Sequence, residues 1–523
     1  MTSPTDDPLL HSTLRSTSKS SASKRATIPC LTVLGHRDRT RLGERAALKA
    51  LLIGQAVEVS RAAPNFGKPG GAPGAPLADP HLSRTPFRLR ADGAAGVIVE
   101  PNGVLLRAEG QLLTAPASFG AEDLVRGVVL EVNERALLLL HTSTNGRQTP
   151  LPGLLGQSDA IDELRCEIAR VADLDTPVLV RGETGTGKEL VAAALHALSP
   201  RCEAPFVAVN MAAVSEATAV SLLFGHARGS FTGAQQRHEG TFERAAGGTL
   251  LLDEIGETPG NVQPMLLRAI ETRRILPLGD AVERNVDVRF VAATDADLER
   301  ELEERSFSAA LLHRLAGYEL HVPQLRARRE DIPLLLMAFI DQELAATAET
   351  GRADGLLALL IASHFLDRIV RHPLPGNVRQ LRNLARHLVI SNRGRGELSI
   401  TSAVERALGD DELEPGPARP LSAPPVSARG SSAISNDELL KALREHGWSP
   451  NRTAASLGIA TGTLHDLMRR SGAVRRAADL SEEELRAARD ACEGDTRAMA
   501  DRLCVSERGL RIALRQHGLL EAG

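Results

Sequence analysis

Residues 176–198 combine a glycine-rich loop and a lysine in the setting that phosphate chemistry requires. The loop Gly182-Glu-Thr-Gly-Thr-Gly-Lys188 follows an apolar run, Thr176–Val180, and precedes a helical pattern, Glu189–Leu198. Glycines let backbone N–H groups turn inward around phosphate oxygens, and the following helix adds the positive end of its dipole. Lys188 is placed to reach the β- and γ-phosphates of a nucleotide. A glycine-rich turn with a chance lysine is the alternative, and the strand–loop–helix order disfavours it.

An acidic pair ends a later apolar run. Gly248-Thr-Leu-Leu-Leu-Asp253-Glu254 carries two carboxylates to the end of a predicted strand, where ligands bind in open α/β sheets. Asp253 is placed to hold Mg²⁺ through water, and Glu254 to orient and deprotonate an attacking water molecule. Alone, the pair would more simply be a solvated turn. Combined with the phosphate-binding loop, it predicts a hydrolase that uses ATP and Mg²⁺.

The elements that must position these groups follow from the apolar pattern. Between residues 150 and 340, apolar runs alternate with helical patterns, which predicts an α/β domain with a parallel sheet. Residues 341–402 are predicted to form a helical lid. Residues 27–143 carry short apolar stretches between turn residues, which predicts a β-sandwich with a long loop at Ala63–Pro76. The fold class is therefore multidomain, with the α/β domain at its centre.

The two ends have a different character. Residues 1–26 are polar and lack periodicity, which predicts a disordered tail, and residues 403–433 are predicted to be a flexible linker. Two small all-α units follow, at 434–475 and 480–523, because seven positions of the first recur 46 residues later in the second. The recurring positions of the first unit are Leu439, Ala442, Ala454, Leu457, Ile459, Leu464 and Gly472.

Composition narrows the class of protein further. The 523 residues carry a formal net charge of −4, so any DNA contact must come from local basic faces. The five cysteines form no C-x-x-C pair, which favours free thiols over a zinc site. No apolar run is long enough for a membrane span, and the N-terminus lacks a signal-peptide pattern. We therefore expect a cytoplasmic protein without a membrane partner.

Over residues 150–402 the chain resembles the sigma-54-dependent transcription activators, a family of AAA+ ATPases. The Walker A segment 182–189 reads GETGTGKE, and its final glutamate matches the family rather than the generic motif. The Walker B segment 248–257 reads GTLLLDEIGE, and PGNVRQLRN at 375–383 matches the second-sensor helix. Gly229-Ser-Phe-Thr-Gly-Ala234 differs from the family's GAFTGA loop only at Ser230.

The resemblance assigns roles to individual residues. It implies that Asn210 holds the catalytic Glu254 and reports nucleotide state, and that Arg314 reaches the active site of the next subunit. Sites shared between subunits require a ring, and the resemblance implies that this ring is a homo-hexamer. Phe231 and Thr232 would form the tip of a loop that contacts the sigma factor, within the set Gly229, Ser230, Phe231, Thr232, Gly233 and Ala234. The implied nucleotide-binding residues are Gly182, Glu183, Thr184, Gly185, Thr186, Gly187, Lys188, Glu189 and Arg379.

Two departures bear on catalysis. The family has asparagine at the first sensor, where this chain has Asp295, and a carboxylate near the γ-phosphate is repulsive unless neutralised. The family has a further arginine shortly before the position of Arg314, where this chain has Ser308. A DNA-binding regulator with weak or no ATP hydrolysis is therefore the second hypothesis. A third, an AAA+ remodeller with another client, is disfavoured by the 229–234 loop.

The ends carry resemblances of their own. The N-terminal part resembles a forkhead-associated domain, which would bind a phosphothreonine protein, or a Ser/Thr kinase, through Arg61, Ser83, Arg84 and Asn102; loss of that binding is the alternative. Residues 434–475 resemble a Fis-type helix-turn-helix unit, and a packing hairpin is the alternative. The helix-turn-helix resemblance implies double-stranded DNA as a partner, with contacts from Thr461, Thr463, His465, Arg469 and Arg470. The activator-family resemblance implies sigma-54 RNA polymerase as the other partner. The role of the second unit stays open.

Overall fold

The computed structural model describes residues 27–409, apart from 72, 73, 80, 81, 83, 94, 145, 147, 148, 231–235, 348 and 350. It also describes residues 441, 443, 453, 482–492, 499, 502, 503, 510 and 514. The predicted tail at 1–26 lies outside this set. The chain divides into two units, 1–421 and 422–523. Within the described part, no helix has the length and apolar character needed to cross a bilayer.

The N-terminal part of the first unit consists of two antiparallel sheets. Its strands are β1 (Ile28–Gly35), β2 (Arg45–Ala47), β3 (Val57–Val59), β4 (Phe87–Asp92), β5 (Gly96–Glu100), β6 (Leu106–Ala108), β7 (Gln111–Leu112), β8 (Ala117–Phe119), β9 (Val128–Val132) and β10 (Ala136–Ser143), with helix α1 (Ala121–Arg126) before β9. One sheet has the order β2-β1-β10-β9-β6-β7, and the other β3-β4-β5-β8.

The two sheets share one apolar core. Since side chains alternate along a strand, Leu138 and Leu140 of β10 point into this core, where they join Phe87 and Leu89 of β4. The predicted long loop Ala63–Pro76 is not free of the core, because its Phe66 is fully buried there. Burying one aromatic ring anchors a segment that the glycine and proline content alone presents as an open loop.

The predicted parallel α/β sheet is confirmed. Its order is β12-β13-β16-β11-β17, and every neighbouring pair is parallel. The strands are β11 (Val178–Arg181), β12 (Phe206–Asn210), β13 (Thr249–Asp253), β16 (Arg289–Thr294) and β17 (Tyr318–His321), with a hairpin of β14 (Arg274–Ile275) and β15 (Arg284–Asn285). The carboxyl ends of parallel strands meet at one edge, so Arg181, Asn210, Asp253 and Thr294 lie side by side.

Helices pack around this sheet. They are α2 (Asp159–Val171), α3 (Lys188–Ala197), α4 (Glu216–Phe224), α5 (Thr241–Arg244), α6 (Gln263–Thr272), α7 (Leu298–Glu303) and α8 (Ala309–Leu315). Ser158 caps the N-terminus of helix α2, because its side chain accepts a hydrogen bond from the Ile161 amide. Arg289 is 2% exposed and donates to backbone carbonyls at the ends of α2 and α3, including Val171 at 2.9 Å and Leu195 at 3.3 Å. Its charge suits the negative ends of both helix dipoles.

The lid is helical, as expected, but its bounds differ from those predicted. Its helices are α9 (Ile332–Ala346), α10 (Ala353–Ala362), α11 (Phe365–Arg371), α12 (Asn377–Asn392) and α13 (Ser402–Leu408). The predicted boundary at 340/341 falls inside α9, which begins earlier because Pro333 occupies its first turn. The predicted linker at 403–433 contains α13, since Val404 and Leu408, one turn apart, are buried against the lid.

The N-terminal sheet of β1, β9 and β10 packs directly on the lid. Leu137 and Leu139, on the opposite face of β10 from the inter-sheet core, belong to the same apolar cluster as Ile361 and Leu366. A Cβ atom at Gly35 would lie 3.0 Å from Leu366 Cδ2, so the lid side chains pack tightly against the strand at this glycine. The sheet therefore has two buried faces, one toward its partner sheet and one toward the lid.

Polar contacts surround this interface. His364 Nδ1 lies 2.5 Å from Glu131 Oε1, and Arg329 donates to Glu109 Oε1 at 3.1 Å and to the carbonyl of Gly127 at 3.0 Å. Burial raises the pKa of Glu131, and the contact with His364 opposes that rise. Because these partners come from separate parts of the chain, they fix where the sheet sits on the lid.

Leu137→Ala is expected to loosen the lid as well as the sheet. Removing this buried side chain should lower the free energy of unfolding by about 2–5 kcal/mol, since it leaves a cavity at the interface. We expect faster amide hydrogen exchange in α10 and α11, measured by mass spectrometry. Leu138→Ala, on the other face of the same strand, should cost a similar amount but change exchange only within the two sheets. Equal changes in both regions for both variants would contradict this division.

The second unit is described at few positions. A helix, α14 (Glu482–Ala491), is present, and a small apolar cluster contains Leu485, Ala488 and Leu510, which are positions of the predicted repeat. Met499 and Leu514 complete that cluster. The helix-turn-helix assignment of 434–475, with Thr461, Thr463, His465, Arg469 and Arg470, lies outside the described residues and stays a prediction.

Candidate functional site: a phosphate-binding cleft between sheet and lid

A cleft of about 600 Å³ opens at the carboxyl edge of the central sheet, a size that suits a nucleotide. It collects residues from across the sequence: the glycine-rich loop, the strand ends and the lid. Apart from Gly182 and Glu183, the predicted nucleotide-binding residues line it, as do Asn210, Asp253 and Glu254. Arg379 of α12, which the resemblance assigns to the second sensor, lines its lid side. The structure thus brings together groups separated by almost two hundred residues in sequence.

The phosphate-binding loop has the backbone that its glycines predict. Gly185 and Gly187 have φ of 78° and 103°, values in the left-handed region that favours glycine. The Thr186 hydroxyl donates to the Glu183 carbonyl at 2.7 Å, which closes the loop on itself. Gly187 then starts helix α3, so the helix N-terminus points its free N–H groups into the cleft. This is the arrangement that binds phosphate.

Lys188 stands between the loop and the acidic pair. It is 6% exposed, and its Nζ donates to the Gly182 carbonyl at 3.1 Å and lies 3.7 Å from Glu254 Oε1. A buried ammonium group requires such partners, because an unpaired charge would be costly. Phosphate oxygens would satisfy the same charge when a nucleotide binds.

Asn210 contacts a different carboxylate from the one that the resemblance implies. Its side-chain amide donates to Asp253 Oδ2 at 3.2 Å, and its carbonyl oxygen accepts from the Ala213 amide at 3.3 Å. The expected contact was with Glu254. The strand register explains the difference, since Asn210 pairs with Asp253 directly across β12 and β13, whereas Glu254 has already left the strand with φ of 52°.

Asp295 lies beside the phosphate-binding loop. The Thr184 hydroxyl donates a short hydrogen bond to its carboxylate. Burial acts to raise the pKa of Asp295, but hydrogen bonds from Thr184 and Glu254 outweigh it and hold that pKa below its usual value. Burial raises the pKa of Glu254, and the neighbouring Asp295 adds to the rise while Lys188 opposes it. The departure from the family therefore introduces a carboxylate beside Glu254, the predicted catalytic glutamate.

The cleft also has an apolar wall that sequence reasoning missed. Leu154, Ile161, Leu335 and Phe339 line it, and the Arg382 guanidinium lies 5.0 Å from the centre of the Phe339 ring. A flat aromatic base would find both apolar contact and a stacked cation there. No short motif marks these residues, because they come from three elements that only the fold brings together.

The oxygen donors in the cleft fit a magnesium ion. Asp253 is 8% exposed at the end of β13, and Glu189 is exposed in the first turn of α3 where the generic motif has a hydroxyl. Mg²⁺ prefers oxygen ligands and usually takes one or two carboxylates together with substrate phosphates and water. Among the described residues, no group of three or more His, Cys, Asp or Glu side chains could hold a metal ion by itself.

Arg314 lies away from this cleft within its own chain. It is half exposed at the end of α8, and its Nε is 3.8 Å from Glu271 Oε1. Among the described residues that line the cleft, Arg314 does not occur. Ser308 begins the same helix, where its hydroxyl accepts from the Leu311 amide and caps the helix. A role for Arg314 in a neighbouring subunit's site stays a prediction.

The predicted sigma-contact loop is described only at its base. Gly229 and Ser230 are described, whereas Phe231, Thr232, Gly233 and Ala234 lie outside the described residues. The base is closed by a pair of backbone hydrogen bonds between His226 and His238, at 3.0 and 3.1 Å. These bonds hold the chain side by side at the two points where the segment 227–237 leaves and rejoins the sheet domain.

The predicted phosphopeptide residues come from one end of the smaller N-terminal sheet. Val59 pairs with Phe87 and Arg88 pairs with Glu100, so β3 ends where β4 begins and β5 ends. Arg61, Arg84 and Asn102 lie just beyond these strand ends, and Asn102 has φ of 47°. Ser83 lies outside the described residues. The sheet topology thus brings the loops that contain Arg61, Arg84 and Asn102 to one end of the sheet. The phosphothreonine assignment stays a prediction.

The sheet order, the phosphate-binding loop and the helical lid define a P-loop domain of the AAA+ class. Residues 154–321 match the family model for the sigma-54 interaction domain, and residues 326–407 match that for the AAA+ ATPase lid domain. The chain belongs to the family of sigma-54-dependent transcription activators.

Named relatives agree with this membership. The chain is 38% identical over 367 residues to the nitric oxide reductase transcription regulator NorR1 of Cupriavidus necator, covering 67% of this chain and 70% of the relative. It is 38% identical over 341 residues to the transcriptional regulatory protein ZraR of Salmonella typhimurium, covering 64% and 73%. The crystal structure of NtrX from Brucella abortus in complex with ATP is 31% identical over 62% of this chain and 70% of NtrX; its TM-score of 0.43 is too low to compare domain arrangements.

Proposed function

We propose that this protein is an ATP-dependent transcription activator that remodels sigma-54 RNA polymerase by hydrolysing ATP at the interfaces of a homo-hexamer. The observation that carries the proposal is the cleft itself. Lys188, Asp253 and Glu254 meet within it beneath a lid arginine, in a chain that matches the sigma-54 interaction domain.

The residues of the cleft divide the chemistry among them. The backbone amides of the loop and Lys188 bind the phosphates, and the apolar wall with Phe339 holds the base. Glu254 orients an attacking water and takes its proton, while Asn210 keeps Asp253 in place. Mg²⁺, held through Asp253, would neutralise phosphate charge during the reaction. Arg314 of an adjacent subunit would add a fixed guanidinium to the same site.

Hydrolysis is useful only if it moves a surface that contacts the polymerase. The segment 227–237, whose sequence includes Phe231 and Thr232, is anchored to the sheet domain at His226 and His238. We propose that this segment contacts the sigma factor and that its position depends on the state of the cleft. The C-terminal units would hold the protein on double-stranded DNA upstream of the promoter.

In vitro transcription with sigma-54 RNA polymerase tests the proposal. The purified chain should activate transcription from a promoter template with upstream binding sites when ATP is supplied. It should not do so with ATP withheld. Transcription that is indifferent to ATP, or absent in both reactions while DNA binding persists, would refute the activator function.

A DNA-binding regulator with weak hydrolysis is the second candidate. Asp295, whose carboxylate contacts Thr184 in the phosphate-binding loop, is the observation that favours it. A negative charge at this position opposes the approach of a γ-phosphate. Steady-state ATP turnover separates the two candidates, because the second predicts specific DNA binding with turnover no faster than that of a Lys188→Ala control.

Asp295→Asn is expected to raise kcat for ATP hydrolysis by about tenfold, because it removes one repulsive charge beside the transferring phosphate. The amide oxygen still accepts from Thr184, so the loop should keep its geometry. Steady-state phosphate release measures the change. Asp297→Asn removes the same charge two residues later, where the side chain only caps helix α7, and should leave kcat unchanged. An unchanged or lower kcat for Asp295→Asn would show that the carboxylate does not limit hydrolysis.

Regulation through the N-terminal sheets is a further part of the proposal. Arg61, Arg84 and Asn102 leave the sheet at one end, and arginine with short polar donors suits a phosphate group. The larger N-terminal sheet packs on the lid. A phosphothreonine protein bound at the end of the smaller sheet would therefore contact a domain that is itself packed on the lid. Titration with a phosphothreonine peptide and its unphosphorylated form tests this recognition.

A further inference from the structure

One carboxylate of the phosphate-binding loop is held by the connection that leads into the lid. Glu183 accepts two hydrogen bonds from Arg326, Nη1 to Oε2 at 2.8 Å and Nη2 to Oε1 at 2.6 Å. Arg326 lies in the 3-10 helix Leu325–Ala327, between strand β17 and the lid. The Arg326 hydrogen bonds lower the pKa of Glu183, so the carboxylate is charged. Two parallel bonds fix direction as well as distance, which a single ammonium contact does not.

Asn377 joins the same carboxylate to two further elements. Its side chain is fully buried, and its amide donates to Glu183 Oε2 at 3.0 Å and to the Thr184 carbonyl at 3.1 Å. Its own carbonyl oxygen accepts from the Leu325 amide at 2.8 Å. One side chain therefore contacts the phosphate-binding loop, the connection and, through its own backbone, the first turn of α12.

The backbone of Asn377 is held in a conformation that L-residues rarely adopt. Its φ is 49°, in the left-handed region, although it opens helix α12. Such a conformation persists where surrounding contacts determine it, and it is common at functional positions. Here four side-chain hydrogen bonds supply those contacts, the three already given and a longer one to the Pro375 carbonyl at 3.4 Å, so the strain and the hydrogen-bond network belong together.

The loop and the lid helix also touch through their backbones. The Gly185 carbonyl accepts from the amides of Val378 at 3.0 Å and Arg379 at 3.3 Å. A Cβ atom at Gly185 would lie 2.4 Å from the Gly376 carbonyl oxygen, so no side chain fits between them. The sensor Arg379 is thereby placed by the loop that binds the phosphates.

We propose that Glu183, Arg326 and Asn377 are positioning residues that lock the phosphate-binding loop and lid helix α12 into one arrangement. This inference rests on the proposed nucleotide-binding function. Its consequence is that phosphate affinity and the placement of Arg379 are set by the same network. A lid that moves must carry the loop with it or break these contacts, so nucleotide occupancy and lid angle are coupled.

Binding of a fluorescent ATP analogue to the full-length chain tests the coupling. Arg326→Ala and Glu183→Gln should each raise Kd by about tenfold, because a loop without this support must be ordered at the moment of binding. The double variant should be no worse than either single variant, since both remove one shared contact. Arg326→Lys keeps the charge but loses the two-pronged geometry, and should recover only part of the affinity.

Asn377→Gly separates the backbone from the side chain. Glycine tolerates the left-handed φ, so the helix start should survive while the amide contacts are lost. We expect a similar rise in Kd, a fall in kcat from the misplaced Arg379, and a lower urea midpoint with a single cooperative transition, because the Leu325 amide loses its acceptor. Arg300→Ala is the matched control, because it removes an exposed arginine–glutamate pair on α7, Arg300 with Glu304, outside the cleft.

The outcomes are distinct. Normal affinity in Arg326→Ala and Asn377→Gly, with the unaltered chain binding and hydrolysing ATP, would overturn the positioning role alone. Additive losses in the double variant would also overturn it, because the two side chains would then act separately. Failure of the unaltered chain to bind the ATP analogue would instead refute the proposed function, and the inference with it.

Discussion

Glu254→Gln is expected to lower kcat for ATP hydrolysis by about a thousandfold while ATP binding is retained, the range expected for loss of a general base. The side chain leaves strand β13 with φ of 52° and lies 3.7 Å from Lys188, on the phosphate side of the cleft. Glutamine keeps the shape and the hydrogen-bonding reach but cannot take a proton from water. Single-turnover hydrolysis and equilibrium binding of ATP measure the two effects separately.

Glu257→Gln is the matched control for this experiment. Glu257 is exposed three residues later, in the 3-10 helix Ile255–Glu257, and is not among the described residues that line the cleft. Its substitution should leave kcat and binding unchanged. Hydrolysis by Glu254→Gln at the rate of the unaltered chain would show that another group serves as the base.

Thr232→Ala is expected to reduce sigma-54-dependent transcription by about a hundredfold, the scale of an interface hot spot, while ATP turnover changes by less than about twofold. Thr232 belongs to the segment 227–237, which is anchored to the sheet domain at His226 and His238 and is proposed to contact the sigma factor. We therefore expect its hydroxyl to matter for the partner contact and not for the phosphate chemistry. Transcription and ATP turnover should be measured on the same preparation.

Thr272→Ala serves as the matched control for Thr232→Ala. The Thr272 hydroxyl donates within its own helix to the Arg268 carbonyl at 2.8 Å and is exposed on the same domain. Its loss should affect neither assay. Full transcription by Thr232→Ala would remove this residue from the sigma-factor contact, and parallel loss of ATP turnover would show that the segment 227–237 contributes to the catalytic site.

The sequence was sufficient to predict a site where one short segment contains both the reactive side chains and the residues that shape the backbone. The loop from Gly182 to Lys188 and the strand ending in Asp253 and Glu254 are such segments, because glycines permit the turns and a buried parallel strand delivers its last residues to the sheet edge. The order of strands and helices in the central domain follows from the same alternating pattern.

Contacts between distant segments were decided only by the tertiary structure. Asn210 pairs with Asp253 rather than Glu254 because of strand register, which no local pattern encodes. The predicted end of the lid was wrong because Val404 and Leu408, in a polar stretch, bury against distant helices. In the sequence, Glu183 is not distinguished from its neighbours in the loop. Its role emerges only from its contacts with Arg326 and Asn377, which lie more than 140 positions away.

The sequence by itself determined the family, the phosphate chemistry and the sheet that carries it, because these depend on local motifs and on periodicity. The tertiary structure decided what the lid touches: the phosphate-binding loop on one side and the N-terminal sheet on the other. Leu137 and Leu138 illustrate the reason, since identical side chains one residue apart enter different cores, and only the packing of whole elements determines which face meets which.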